Sequence, residues 1–103
     1  MPTVKIFLDD VRPCPSGLGY EQARTFQMCK LWIDISRGEI EFIDLDYNLD
    51  GDNTGLDILI YMSEKGIKPE HINIHSDDSL GAPLMIKYAE KNFPDATITN
   101  YVM

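Results

Sequence analysis

Apolar residues come along the chain in short bursts separated by polar, glycine-rich or proline-rich stretches, and the period of each burst names an element. Val4-Lys5-Ile6-Phe7-Leu8 stops at Asp9-Asp10, and a run of that length suits a buried strand rather than a helix. Residues 12–19, Arg-Pro-Cys-Pro-Ser-Gly-Leu-Gly, hold two prolines and two glycines and read as a loop. A brief strand follows near Tyr20 to Arg24. Thr25 stands where an N-cap belongs. After it Met28, Leu31, Trp32 and Ile35 recur at helical spacing and are expected in the core, with Gly38 closing the helix. Glu39 to Leu45 reads as a second buried strand and runs into the polar loop Asp46 to Gly55. Leu56 to Glu64 is expected to be a helix with Leu56, Leu59, Ile60 and Met62 inward, stopped by Gly66 and Pro69. His71-Ile72-Asn73-Ile74-His75-Ser76 alternates as a strand does. The turn Asp77 to Gly81 leads to a helix with Leu84, Met85, Tyr88 and Ala89 on its apolar face, which Asn92 and Pro94 end. Ala96 to Val102 is β-branched and closes the chain as a strand.

Strands alternating with helices of this length predict a parallel sheet with helices on its faces. Right-handed crossovers make it a small doubly wound α/β sandwich of four to five mostly parallel strands. With 103 residues, one domain spanning 1–103 is expected. In such folds ligands sit outside the carboxyl ends of the strands.

Composition changes this picture in a few places. Seventeen Asp and Glu against nine Lys and Arg give a net charge of −8. That field repels duplex nucleic acid, whose binding rests on neutralised phosphates. It leaves open a small phosphorylated ligand bridged by a divalent cation. Cys14 and Cys29 have no metal-ligand spacing and no disulfide framework around them, so reduced thiols are expected. No apolar run is long enough to span a membrane and the N-terminus enters a strand directly, so a cytoplasmic protein without membrane partners is expected.

The strand ends collect chemistry. The first ends in Asp9-Asp10, another in Asp44-Leu45-Asp46, and the next in His75-Ser76. Asp44 and Asp46 share a face because side chains alternate along a strand. Carboxylates gathered at one sheet edge repel one another unless a cation joins them, and hard oxygen ligands suit Mg²⁺ or Ca²⁺. Acidic strand ends also serve as helix caps or solvated turns. Arg12, just beyond, suits either a bidentate phosphate contact or an ion pair with Asp9 or Asp10. His75 is placed for general acid–base work, or for a satisfied position at the sheet edge; His71 is expected at the surface. A second pattern overlaps the first. Asp46, Asn48, Asp50 and Asp57, with Gly51 at the turn, follow the spacing of a helix-loop-helix calcium loop. Against it stand the strand-like segment before the loop, Asp57 in place of the longer Glu, and Asn53 where an apolar residue is usual.

Phe7-Leu8-Asp9-Asp10-Val11-Arg12-Pro13, Leu45-Asp46-Tyr47-Asn48-Leu49, Thr54-Gly55 and Ile74-His75-Ser76 with Gly81 resemble the cyclic-phosphate-processing receiver-like family of bacteria and their phages. The short motifs cover the chain as far as the helix after Gly81. The resemblance implies a receiver/flavodoxin-like fold lacking some receiver helices, with Asp9, Asp10 and Asp46 holding a divalent metal. It also implies processing of cyclic or terminal nucleotide phosphates, with His75 taking part. The chain departs from the family pattern at Tyr47-Asn48, where His-Asp is usual, and at Asp78, where Asn is usual. Compared with signalling receivers, the last strand has Asn100 or Tyr101 in place of the lysine, and residues 17–25 leave little room for a first helix.

The leading functional expectation is a metal-dependent phosphate-handling domain, in enzymatic form a phosphoesterase. Asp9, Asp10 and Asp46 would hold Mg²⁺ or Mn²⁺, with Asp46 as nucleophile, His75 moving protons, and Ser76 and Arg12 on the phosphate. The ligand would be a small phosphorylated molecule or nucleotide. Two alternatives stand beside it: a non-catalytic receiver-like module for a protein partner or ligand, and calcium binding through the 46–57 loop.

Overall fold

The computed structural model describes residues 4–13, 17, 19–36, 39–49, 51–76 and 78–100. The expectations placed on Cys14, Gly38, Asp50, Asp77, Tyr101 and Val102 lie outside them. Five strands, β1 (Val4–Leu8), β2 (Tyr20–Ala23), β3 (Ile40–Leu45), β4 (His71–Ile74) and β5 (Thr97–Thr99), run with three helices, α1 (Phe26–Ile35), α2 (Gly55–Lys65) and α3 (Gly81–Asn92). Every strand pair is parallel, in the order β2-β1-β3-β4-β5. This is the flavodoxin-like order, in which the winding reverses between β1 and β3.

That order decides where the helices lie. The crossovers β2-α1-β3, β3-α2-β4 and β4-α3-β5 all step the same way across the sheet, so right-handedness puts α1, α2 and α3 on one face. The core agrees. Ile6, Leu8, Ile43, Leu45, Ile72 and Ile74, alternate residues of three adjacent strands, are buried with Cys29, Ile33, Ile58, Leu59, Met62, Ala82, Met85 and Ala89 from the helices. The connection from β1 to β2 steps the other way and holds no helix among the described residues. Strand order is therefore doubly wound, while the described helices cover a single face. The other face carries Phe7, Phe42, Asp44, His71 and Asn73. No described helix is long and apolar enough to cross a membrane.

Thr25 caps α1 as expected, its Oγ1 accepting from the Met28 N–H at 3.0 Å. Of the apolar stripe assigned to the core of α1, Trp32 packs against the core and the other three residues face outward. Cys29 and Ile33 are buried, Trp32 is partly buried, and Leu31 and Ile35 are 51% and 61% exposed, with Met28 also exposed. The helix is apolar on two sides, and only its seat against the sheet edge selects one. In α2 Ile58, rather than Ile60, joins Leu59 and Met62 in the core, and in α3 Ala82 does so while Leu84 is exposed. Gly66, at φ 71°, ends α2 in the left-handed conformation.

Candidate functional site

Register builds the site. Leu8, Leu45 and Ile74 are neighbours across β1, β3 and β4. The next residue on each strand, Asp9, Asp46 and His75, therefore falls in one row at the carboxyl edge. Strands about 4.8 Å apart bring such a row into ligand range. One ligand atom from each of the three lies within 4.8 Å of the others. Among the described residues this is the group whose spacing suits a metal ion.

Each member is held from below or behind. Asp9 is buried, and its Oδ1 accepts the backbone N–H groups of Val11 and Arg12, both at 2.8 Å. Its Oδ2 lies 2.9 Å from His75 Nε2. The other ring nitrogen, Nδ1, is 2.5 Å from Asp44 Oδ1, and the ring stacks on Phe7 at 4.8 Å and 7°. The imidazole is thus clamped on a flat apolar face between two carboxylates.

The charges respond to this crowding. Burial raises the Asp46 carboxyl above its ordinary value and the charge of Asp9 raises it further, outweighing His75 and the N–H groups of Tyr47 and Asn48. For Asp9 burial pushes upward too, but the Arg12 and Val11 N–H groups together with His75 bring it below the ordinary value. Burial alone would depress His75; hydrogen bonds to Asp44 and Asp9, with the charges of Asp44 and Asp46, raise it instead. Two close carboxylates, one of them reluctant to ionise, describe a place where a cation would be welcome.

The remaining expected residues fall around this row. Asp10, Val11, Arg12, Asn48 and Leu49 line an open cleft of about 390 Å³ with Asp9 and Asp46. Asp10 is on its wall but outside the group of three. Arg12 reaches the same cleft, while its backbone carbonyl accepts from Gln22 Nε2 at 3.2 Å. Ser76 is buried, and its Oγ accepts the Asp78 N–H at 3.1 Å. The described members of the calcium-loop pattern each have a different partner: Asp46 stands with Asp9 and His75, Asn48 donates to Asp78 at 3.2 Å, and Asp57 accepts from the Thr54 N–H at 2.8 Å. Asn48 and Asp78, two of the departures from the family pattern, are thus the two ends of one hydrogen bond.

The sequence reading left Asp44 as a neighbour and passed over Asn73 and Thr99. All three stand one row below the cluster: Phe7, Asp44, Asn73 and Thr99 are register partners across β1, β3, β4 and β5. The signal was the alternation itself, which puts residues 44 and 73 on the face of 46 and 75. What it lacked was the order of the strands.

Comparison with known proteins agrees with the receiver-like fold. The sequence model of the cyclic-phosphate processing receiver domain matches residues 4–91. No curated protein and no solved structure matches the chain.

Proposed function

The chain belongs to the cyclic-phosphate processing receiver domain family, and from that premise we propose that its cleft is a divalent-metal site that handles cyclic or terminal nucleotide phosphates. The observation that carries this reading is the convergence of Asp9, Asp46 and His75 within 4.8 Å of one another. The donor set fits a metal: two carboxylates that repel each other and an imidazole whose second nitrogen already has a carboxylate partner. Asp9, Asp46 and His75 Nε2 would hold the ion, with Asp10 on the cleft wall completing the oxygen set. A nitrogen that holds a metal cannot also carry the proton, so the compact group favours His75 as a ligand over the proton carrier of the sequence reading. Mixed oxygen and imidazole donors suit Mn²⁺ better than Mg²⁺.

A bound divalent ion supplies Lewis acidity and charge neutralisation at a phosphoryl oxygen. The chain's own residues do the rest. Arg12 offers a guanidinium to the phosphate from the cleft wall, and Ser76, buried and accepting the Asp78 N–H, would donate its hydroxyl proton to a phosphate oxygen. Asp46, with its carboxylate toward the cleft, is the nucleophile if a covalent step occurs.

The test is turnover of 2′,3′-cyclic nucleotides with Mn²⁺ or Mg²⁺. Activity is expected with the metal and lost in Asp46→Asn and His75→Ala. Undiminished turnover in both variants would overturn the assignment. Metal binding with no turnover of any cyclic or terminal phosphate would favour a binding module that keeps the site without the reaction.

A further inference from the structure

Behind the cluster lies a second row of polar side chains that the proposed reaction does not use. Asp44 and Asn73 are wholly buried register partners, with Phe7 beside Asp44 on β1 and Thr99 beside Asn73 on β5. Asp44 Oδ1 accepts from Asn73 Nδ2 at 3.0 Å and faces His75 Nδ1, while its Oδ2 is buried and finds no partner among the described residues. From Asn73 the chain continues sideways: Thr99 Oγ1 donates to Asn73 Oδ1 at 2.7 Å, and His71 Nε2 lies 2.8 Å from Thr99 Oγ1.

Chemistry fixes the direction of every bond in this line. An ionised carboxylate only accepts, so Asn73 must turn its amide N–H₂ to Asp44 and its oxygen to Thr99. Thr99 then spends its single proton on Asn73 and can only accept from His71, which must carry a proton on Nε2. At the other end Asp44 can only accept from His75 Nδ1. That contact, at 2.5 Å, is closer than the 2.9 Å between Nε2 and Asp9, whose carboxylate already accepts the Val11 and Arg12 N–H groups, so a neutral ring keeps its one proton on Nδ1. The donors converge on one carboxylate from both sides. The line is not a proton relay, because the Asn73 amide has no proton to pass on.

Nor is stability a sufficient reason for it. A buried carboxylate with one oxygen unpartnered is costly, and apolar residues of similar volume often do as well or better in such a place. Local rules broken in a core point to function.

We propose that Asp44 is a positioning residue, fixed by Asn73, Thr99 and His71, that holds the proton of His75 on Nδ1 and so turns an unprotonated Nε2 toward Asp9 and Asp46. The proposal deepens the metal-site reading and rests on it for its purpose, but its central claim concerns hydrogen bonds within the chain. The chain contains two histidines, and the line assigns them opposite neutral tautomers: Nδ1–H for His75 and Nε2–H for His71.

Long-range ¹H–¹⁵N spectra of the full chain, taken where both rings are neutral, read this directly. The expected result is one histidine of each tautomer, with His75 assigned by its absence in His75→Ala. In Asp44→Asn, His75 should shift toward the Nε2–H form, because an amide can donate to Nδ1. Its Mn²⁺ affinity, read by electron paramagnetic resonance of the free ion, should fall about 10–100-fold. A wild-type His75 found as Nε2–H overturns the proposal without any variant, as does an Asp44→Asn protein with unchanged tautomer and unchanged Mn²⁺ affinity. If the wild type shows its expected tautomers but binds no Mn²⁺, the metal reading fails and the positioning role of Asp44 stands.

Discussion

A methyl group at Gly81 would enter the ring of Tyr47, and one at Gly55 would meet the backbone carbonyl of Asp46. Both glycines open helices beside the cleft, and both are small because another residue of the site region already fills the space. Gly81→Ala forces the Tyr47 ring aside and should destabilise by about 1–3 kcal/mol, read as a lower urea midpoint at unchanged slope. His75 gives the second prediction at this scale. In metal-free protein its proton is held above the ordinary histidine value of 6.5, since Asp44 and Asp9 outweigh its burial. A group raised on folding contributes stability that is fully present below its unfolded value and is lost as pH rises through its folded one. Asp46 is also raised and acts in the same direction at lower pH. Metal-free protein should therefore lose stability from roughly pH 6.5 upward, as measured by urea denaturation across that range. His75→Ala should flatten this part of the profile; an equally steep fall in the variant would place its origin elsewhere.

Helix α1 separates pattern from packing. It has apolar residues on two sides, and the side with Cys29 and Ile33, flanked by the partly buried Phe26 and Trp32, faces the core. Ile33→Ala removes a fully buried side chain and should cost about 2–5 kcal/mol. Leu31→Ala, at an exposed position, should stay within about 0.5 kcal/mol of wild type. Thermal unfolding of the pair distinguishes the two faces; equal losses would mean that both are buried. Cys29 follows the same logic: burial pushes its thiol far above the ordinary value, so it should resist alkylation in the folded protein and react only on unfolding. The other helices show why the sequence reading was closer there. In α2 and α3 the central core residues, Leu59, Met62, Met85 and Ala89, lie on the stripe that periodicity selects, and only the flanking positions shift.

Across the whole molecule, the sheet has two different faces. One carries the apolar core and three helices; the other carries a row of metal-type ligands at the edge and a row of hydrogen-bonded polar groups beneath. A ligand that binds only the folded cleft adds stability by mass action, about 2.7 kcal/mol at a hundred times its dissociation constant. Mn²⁺ should therefore raise the melting temperature in a concentration-dependent way, and the shift should vanish in Asp46→Asn. A shift that persists in that variant would show that the ion binds away from the cleft.

The order of strands and helices, the cap at Thr25 and the acidic strand ends were all legible in the sequence, because each rests on local period or local backbone chemistry. Asp9, Asp46 and His75 could be named there as residues of one edge. The sequence could not say that β1, β3 and β4 lie side by side in matching register, and that adjacency is what joins those three while leaving Asp10 on the wall. It also could not say which side of α1 is covered, since helical spacing defines a stripe but not its partner. Asp44 shows the difference most sharply. Alternation puts it on the face of Asp46, yet only the neighbouring strands give it His75 above and Asn73 beside it, and so turn an acidic strand residue into the acceptor on which a buried line of donors converges.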